Sequence, residues 1–173
     1  LSCHTEAARQ VMKTQHWTLE SMNPNTGEVV GKKALVNNFC IGIAGNQADC
    51  TSCHVGYGFK DKNFDFTDEE NVDCLACHDT SGTSRKPAGL AGHAVYEEME
   101  FPPGSGKILR AVDLNKVAQN IGKNSRYTCG ACHFYGGHGN AYKHRDMYAS
   151  LEVDDSSNDF HMAVMGQDFA RST

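Results

Sequence analysis

Three stretches of this chain repeat one arrangement of thiols and imidazole: Cys50-Thr51-Ser52-Cys53-His54, Cys74-Leu75-Ala76-Cys77-His78 and Cys129-Gly130-Ala131-Cys132-His133. Two thiols three positions apart can form thioethers to one porphyrin. The His that follows is placed to ligate the iron. That arrangement reads as c-type haem attachment. One copy alone would also read as half of a zinc site, but a His directly after the second Cys in all three copies argues against a zinc or disulfide scaffold. Six of the eight cysteines are used in this way.

The chain opens Leu1-Ser2-Cys3-His4, which is the same pattern without its first Cys. The reading favoured here is a fourth motif cut at its edge, so that four haems are expected, three of them from complete motifs. The alternatives are a haem held by Cys3 alone and a Cys-His pair that holds none. A start inside a motif also implies that an upstream piece is absent.

These sites must be positioned by a chain poor in its own core material. Its apolar fraction is 39% and its aromatic fraction 9%, below the roughly 45–50% apolar share of ordinary domains. Porphyrin faces would supply the missing core, and the chain without haem is expected to fold poorly. The length suits one compact multihaem domain over residues 1–173. Haem attachment takes place outside the cytoplasm in bacteria, which places the protein in the periplasm or outside the cell. No apolar run of about 18 residues offers a membrane span. The net charge of −5, before any propionates are counted, disfavours nucleic acid as a partner. An anionic substrate would need a local basic pocket.

The elements expected around the motifs are short helices and long loops wound around closely stacked haems, with no persistent sheet signal. Residues 5–20 offer a helix through Ala7, Ala8, Val11 and Met12, with His16 and Trp17 following. A turn follows at residues 23–27. Residues 56–71 carry acidic and aromatic side chains and read as a loop laid over something flat. Lys107 to Asn120 offers a second helix, with Gly122 placed to close it. Each motif is expected at a helix start or in a short helical turn, because both thiols must face one ring edge. Five His stand outside the motifs. Of these, His16, His93, His144 and His161 are the preferred distal ligands, with His138 as the reserve. Met12, Met147, Met162 and Met165 compete as soft ligands, although Met more often fills gaps in apolar packing.

The residues between the motifs carry a resemblance. It runs through Ser2-Cys3-His4-Thr5, His16-Trp17, Asn37-Asn38-Phe39-Cys40-Ile41 and Val55-Gly56-Tyr57-Gly58 after the Cys50–His54 motif. It continues through Phe64-Asp65-Phe66, Val72-Asp73, Asp79-Thr80, Phe134-Tyr135-Gly136-Gly137, Lys143-His144 and His161-Met162. In these stretches the chain resembles the N-terminal half of the octahaem cytochromes c called tetrathionate reductases. The resemblance implies an electron relay with one altered haem, whose iron takes a Lys from outside the attachment motif and leaves a face for substrate. Carried over, Lys143 is that Lys, and Cys40 and Asn37 stand beside the catalytic haem. The implied substrates are tetrathionate, nitrite and hydroxylamine. The order of motifs gives the altered haem to Cys50 and Cys53. His54 is still offered there, and His54 and Lys143 on opposite faces would leave no vacancy. Asn140 stands where the family's pocket has Asp, which alters its proton supply.

Read without the resemblance, Cys40 is a small buried hydrophobe or a thiol able to exchange with a sulfur compound. Lys143 is a solvated charge, or a ligand made neutral by desolvation or by iron. The resemblance also needs four further motifs. The chain is therefore either the front part of a longer enzyme or a short relative that only conducts, passing electrons to a redox partner or a neighbouring cytochrome subunit. Two functions stand side by side: a reductase of small sulfur or nitrogen compounds at a Lys-ligated haem, and an electron carrier with every haem held by two His.

Overall fold

Ala8 and Trp17 are each 1% exposed, and together they explain how the chain begins. On one continuous helix, residues nine apart lie about half a turn from each other, so one of the two would face solvent. The computed structural model, which describes residues 4–33, 42–134, 140 and 146–152, breaks the expected helix accordingly. Helix α1 is Ala7–Met12 and helix α2 is Gln15–Thr18. Thr14 between them is extended, at φ −91 and ψ 160. Its hydroxyl donates to the Val11 carbonyl at 2.7 Å, which occupies a helix end that would otherwise want water. Leu19 at φ 55 ends α2.

The expected turn at 23–27 is the loop of a hairpin. Strands β1 (Ser21–Met22) and β2 (Val29–Val30) pair antiparallel, with Ser21 opposite Val30. A second two-stranded ribbon joins β3 (Met99–Glu100) to β4 (Ile108–Leu109). That ribbon takes the front of the segment read as a helix from Lys107. The Lys107 carbonyl accepts from Phe101 N–H at 2.9 Å, and Val112 N–H donates to Val95 O at 2.8 Å. With these backbone groups engaged elsewhere, the helix is confined to α5, Leu114–Gln119. Gly122 does not cap it. Its N–H donates to the His78 carbonyl at 3.0 Å.

The remaining helices carry motif residues: α3 (Gln47–Cys50), α4 (Leu75–His78) and α6 (Arg126–His133). Short 3-10 turns lie at Glu69–Asn71 and Ala149–Leu151. The architecture is thus short helices and long loops with two small ribbons, as the composition suggested.

The chain divides into two compact units. The first is Leu1–Cys74 with Thr83–Leu114. Its core gathers Leu19, Ile43 and Phe59, with Cys50, Phe64 and Phe66 against them. The second is Leu75–Gly82 with Asn115–Thr173, in which α4 and α6 touch and Val117 is fully buried.

Candidate haem-attachment sites

Cys50 closes α3, and the chain turns through Thr51 and Ser52 to Cys53. The turn is held by the Thr51 hydroxyl, shared between the carbonyls of Gln47 (2.7 Å) and Phe59 (2.9 Å). His54 then enters an aromatic cage. Its ring lies 5.0 Å from Trp17, 5.4 Å from Phe59, 5.5 Å from Phe64 and 6.1 Å from Phe66, centroid to centroid. The loop read as covering something flat therefore covers Trp17 and His54. The indole is itself anchored, donating to Phe66 O at 3.0 Å.

His54 is 1% exposed. Its Nε2 sits 2.7 Å from the Trp17 carbonyl. A carbonyl only accepts, so Nε2 carries the proton and has no lone pair for iron. Nδ1 holds that lone pair, is buried, and has no hydrogen-bond partner. Burial dominates the ring's acidity and pulls its pKa down to about 4, with the Lys86 charge adding to the fall and the Trp17 bond and Asp73 opposing it. As it stands, His54 does not fit the role of an axial ligand through Nε2.

His78 has the same sequence context and the opposite geometry. The last residue of α4, it is exposed, and its Nδ1 lies 2.8 Å from Gly122 O. Nδ1 must donate, so Nε2 carries the lone pair. A carbonyl fixing the tautomer from behind is the usual support of a ligating imidazole. The surrounding backbone is tied down by Thr80, whose N–H and hydroxyl both donate to Asn120 O, at 2.9 and 2.6 Å. Here the residues fit an iron.

The third complete motif sits in the second half of α6. Ser125 caps this helix, its hydroxyl accepting from Thr128 N–H while Thr128 Oγ1 accepts from Ser125 N–H at 2.9 Å. This reciprocal cap sets where the helix begins. On a helix, Cys129, Cys132 and His133 fall at i, i+3 and i+4 and share one face. The His133 carbonyl accepts from Met147 N–H at 2.9 Å. The six motif cysteines are thiols rather than disulfide halves, five of them half-buried and Cys74 exposed.

Other expected residues fall as follows. His4 is exposed at the chain's start. His16 is exposed on α2, and its carbonyl accepts from Val55 N–H at 3.4 Å, directly after the Cys50–His54 motif. His93 is half-buried and stacks on Tyr57, at 5.8 Å and 23°, with Tyr96 Oη 3.4 Å from its Nδ1. The small residues around His93 meet backbone. Gly92 is at φ +82, and a Cβ there would strike the Gly56 carbonyl. Asn140 Oδ1 accepts from Ala149 N–H at 2.7 Å. Cys3, Asn37, Cys40, His138, Lys143, His144 and His161 lie outside the described residues, as do Met162 and Met165.

A cluster that motif reading passed over lies after His54. Asp73 and Lys86 form an ion pair at 3.0 Å, with side chains 2% and 8% exposed. Tyr57 donates to Asp73 at 2.6 Å. Burial and the Asp73 charge push the Tyr57 phenol well above its usual range, so it remains a donor.

The geometry and the repeated motifs define the fold of a multihaem c-type cytochrome. The family described as cytochrome c554 and c-prime matches residues 1–79. Among solved structures, the chain is similar to an octahaem cytochrome c from Shewanella oneidensis. The two are 43% identical over 99% of this chain, with a TM-score of 0.74. This chain spans 35% of the length of that one. No curated protein matches it. Among the described residues no helix is long and apolar enough to cross a membrane.

Proposed function

We propose that the chain conducts electrons through haem c held at Cys50 and Cys53, Cys74 and Cys77, Cys129 and Cys132, with a fourth haem at Cys3 and His4. Haem c, when bound, supplies a one-electron redox centre at each pair of thiols. The observation that supports this reading is His78, whose Nδ1 is engaged by Gly122 O, a contact that leaves the lone pair on Nε2. His16, His93, His144 and His161 are the proposed distal ligands. A redox protein or a neighbouring cytochrome would receive the electrons, in the periplasm or outside the cell.

A second reading goes further and rests on His54. His54 Nε2 lies against the Trp17 carbonyl, which supports a protein ligand from elsewhere for the haem on Cys50 and Cys53. Lys143 fills that role, with Asn37, Cys40 and Asn140 beside the open face. This is the site of a tetrathionate, nitrite or hydroxylamine reductase.

Magnetic resonance of the oxidised, haem-loaded protein tests both readings. The expected spectrum holds bis-His low-spin signals plus one distinct signal that Lys143→Met alters. The same substitution should abolish reduction of all three substrates while leaving total haem intact. Cys40→Ala should damage only the sulfur substrate. A spectrum of bis-His haems alone, with no turnover, leaves the electron carrier. Absence of covalent haem overturns both.

A further inference from the structure

Segment 54–58 lies antiparallel to segment 71–73. Tyr57 N–H donates to Asn71 O and Asp73 N–H to Val55 O, both at 2.9 Å, with Gly56 opposite Val72. Along an extended strand successive carbonyls point to opposite sides. Val55 O faces the partner, so the carbonyls of His54 and Gly56 face away from it. Val55 and Gly56 are buried with His54, and buried carbonyls need a donor.

Lys86 supplies it. Its ammonium lies 2.5 Å from His54 O, 3.3 Å from Gly56 O and 3.0 Å from Asp73 Oδ2. An ammonium has three N–H bonds, and here they meet three acceptors. The Tyr57 ring lies beneath it, 5.5 Å from nitrogen to centroid. Tyr57 Oη closes the loop on the other Asp73 oxygen. Two of the acceptors belong to the chain leaving the Cys50–Cys53 pair. The third belongs to the residue directly before Cys74. One buried charge therefore clamps the end of one attachment segment to the start of the next.

We propose that Lys86 is a positioning residue that fixes the Cys50–Cys53 attachment segment relative to Cys74. The inference rests on the haem reading above. It asks of Lys86 no ligation and no proton transfer. The residue acts through the backbone it holds, and the companion charge on Asp73 keeps the ammonium from leaving for solvent.

The test uses the haem-loaded protein, with peptide mass mapping to establish which Cys pairs carry porphyrin. In Lys86→Met, amide exchange at Tyr57, Gly58 and Asp73 should quicken by about tenfold or more, while exchange at Cys129 in α6 and at Phe134, which caps it, keeps its rate. The low-spin resonance envelope should broaden in part, as attachment geometry becomes heterogeneous. Lys86→Arg, which keeps the charge and several donors, should restore much of both signals. Lys86→Gln carries the same measurement if the Met variant does not accumulate. Exchange that quickens equally in α6, or nowhere, overturns the proposal, as does an unbroadened envelope. Absence of porphyrin from the Cys50–Cys53 and Cys74–Cys77 pairs in the unsubstituted protein overturns the haem reading itself, and this proposal with it. Porphyrin present with no local change in exchange overturns Lys86 alone.

Discussion

His54→Phe separates a buried structural imidazole from an iron ligand. The wild-type ring is held neutral, its pKa lowered from 6.5 to about 4. At about 1.4 kcal/mol per unit, that shift corresponds to roughly 3 kcal/mol against protonation in the folded state. The sign follows from proton counting. Between pH 6.5 and about 4 the unfolded chain binds a proton that the folded chain refuses, so stability is full above 6.5 and falls as pH drops through that window. Phe keeps an aromatic ring among Trp17, Phe59, Phe64 and Phe66. It leaves the Trp17 carbonyl without this donor, a cost of about 1–3 kcal/mol, and removes the unsatisfied Nδ1, a gain of about 1–3 kcal/mol. At pH 7.5 the variant should therefore unfold within about 2 kcal/mol of wild type, and that portion of the acid sensitivity should vanish. Thermal unfolding at several pH values measures both, and the resting spectrum of the irons should not change. His78→Phe is the contrast, because it should convert one low-spin haem to high spin. A new high-spin signal in His54→Phe, matching that of His78→Phe, would refute the assignment of His54 as structural.

Further outcomes follow from single observations. Intact mass with a pyridine haemochrome assay should give four haems, and a count of three would show that Cys3 and His4 hold none. Gly92→Ala should cost more than Gly104→Ala, although both positions have positive φ, because a Cβ at Gly92 strikes the Gly56 carbonyl and one at Gly104 meets open space. The backbone term alone is about 1–2 kcal/mol at each, so equal midpoints in thermal unfolding would contradict the close approach. Ser125→Ala removes the cap of α6 and should lower stability by about 1 kcal/mol, read as a fall of roughly 2–4 °C in midpoint. Unchanged melting would mean the reciprocal cap is not what sets the start of that helix.

The attachment chemistry is legible in the sequence because it is local. Two thiols and an imidazole within five residues need no tertiary partner to be recognised, and the low apolar content fits helices and loops built round a foreign core. Which imidazole nitrogen faces outward is not local. Cys53-His54 and Cys77-His78 read alike, yet the Trp17 carbonyl meets Nε2 in one and the Gly122 carbonyl meets Nδ1 in the other. Those carbonyls lie 37 and 44 residues away along the chain. Lys86, in Arg85-Lys86-Pro87, likewise carries no signal of its role in its sequence neighbours. Only the pairing of segments 54–58 and 71–73 leaves buried carbonyls that call for it. The break between α1 and α2 has the same origin, since periodicity allowed one helix and the joint burial of Ala8 and Trp17 did not. Spacing determined where porphyrin can bond to this chain. The fold decided which ring nitrogen of each histidine meets a carbonyl, because a hydrogen bond to one nitrogen sets the protonation of the other.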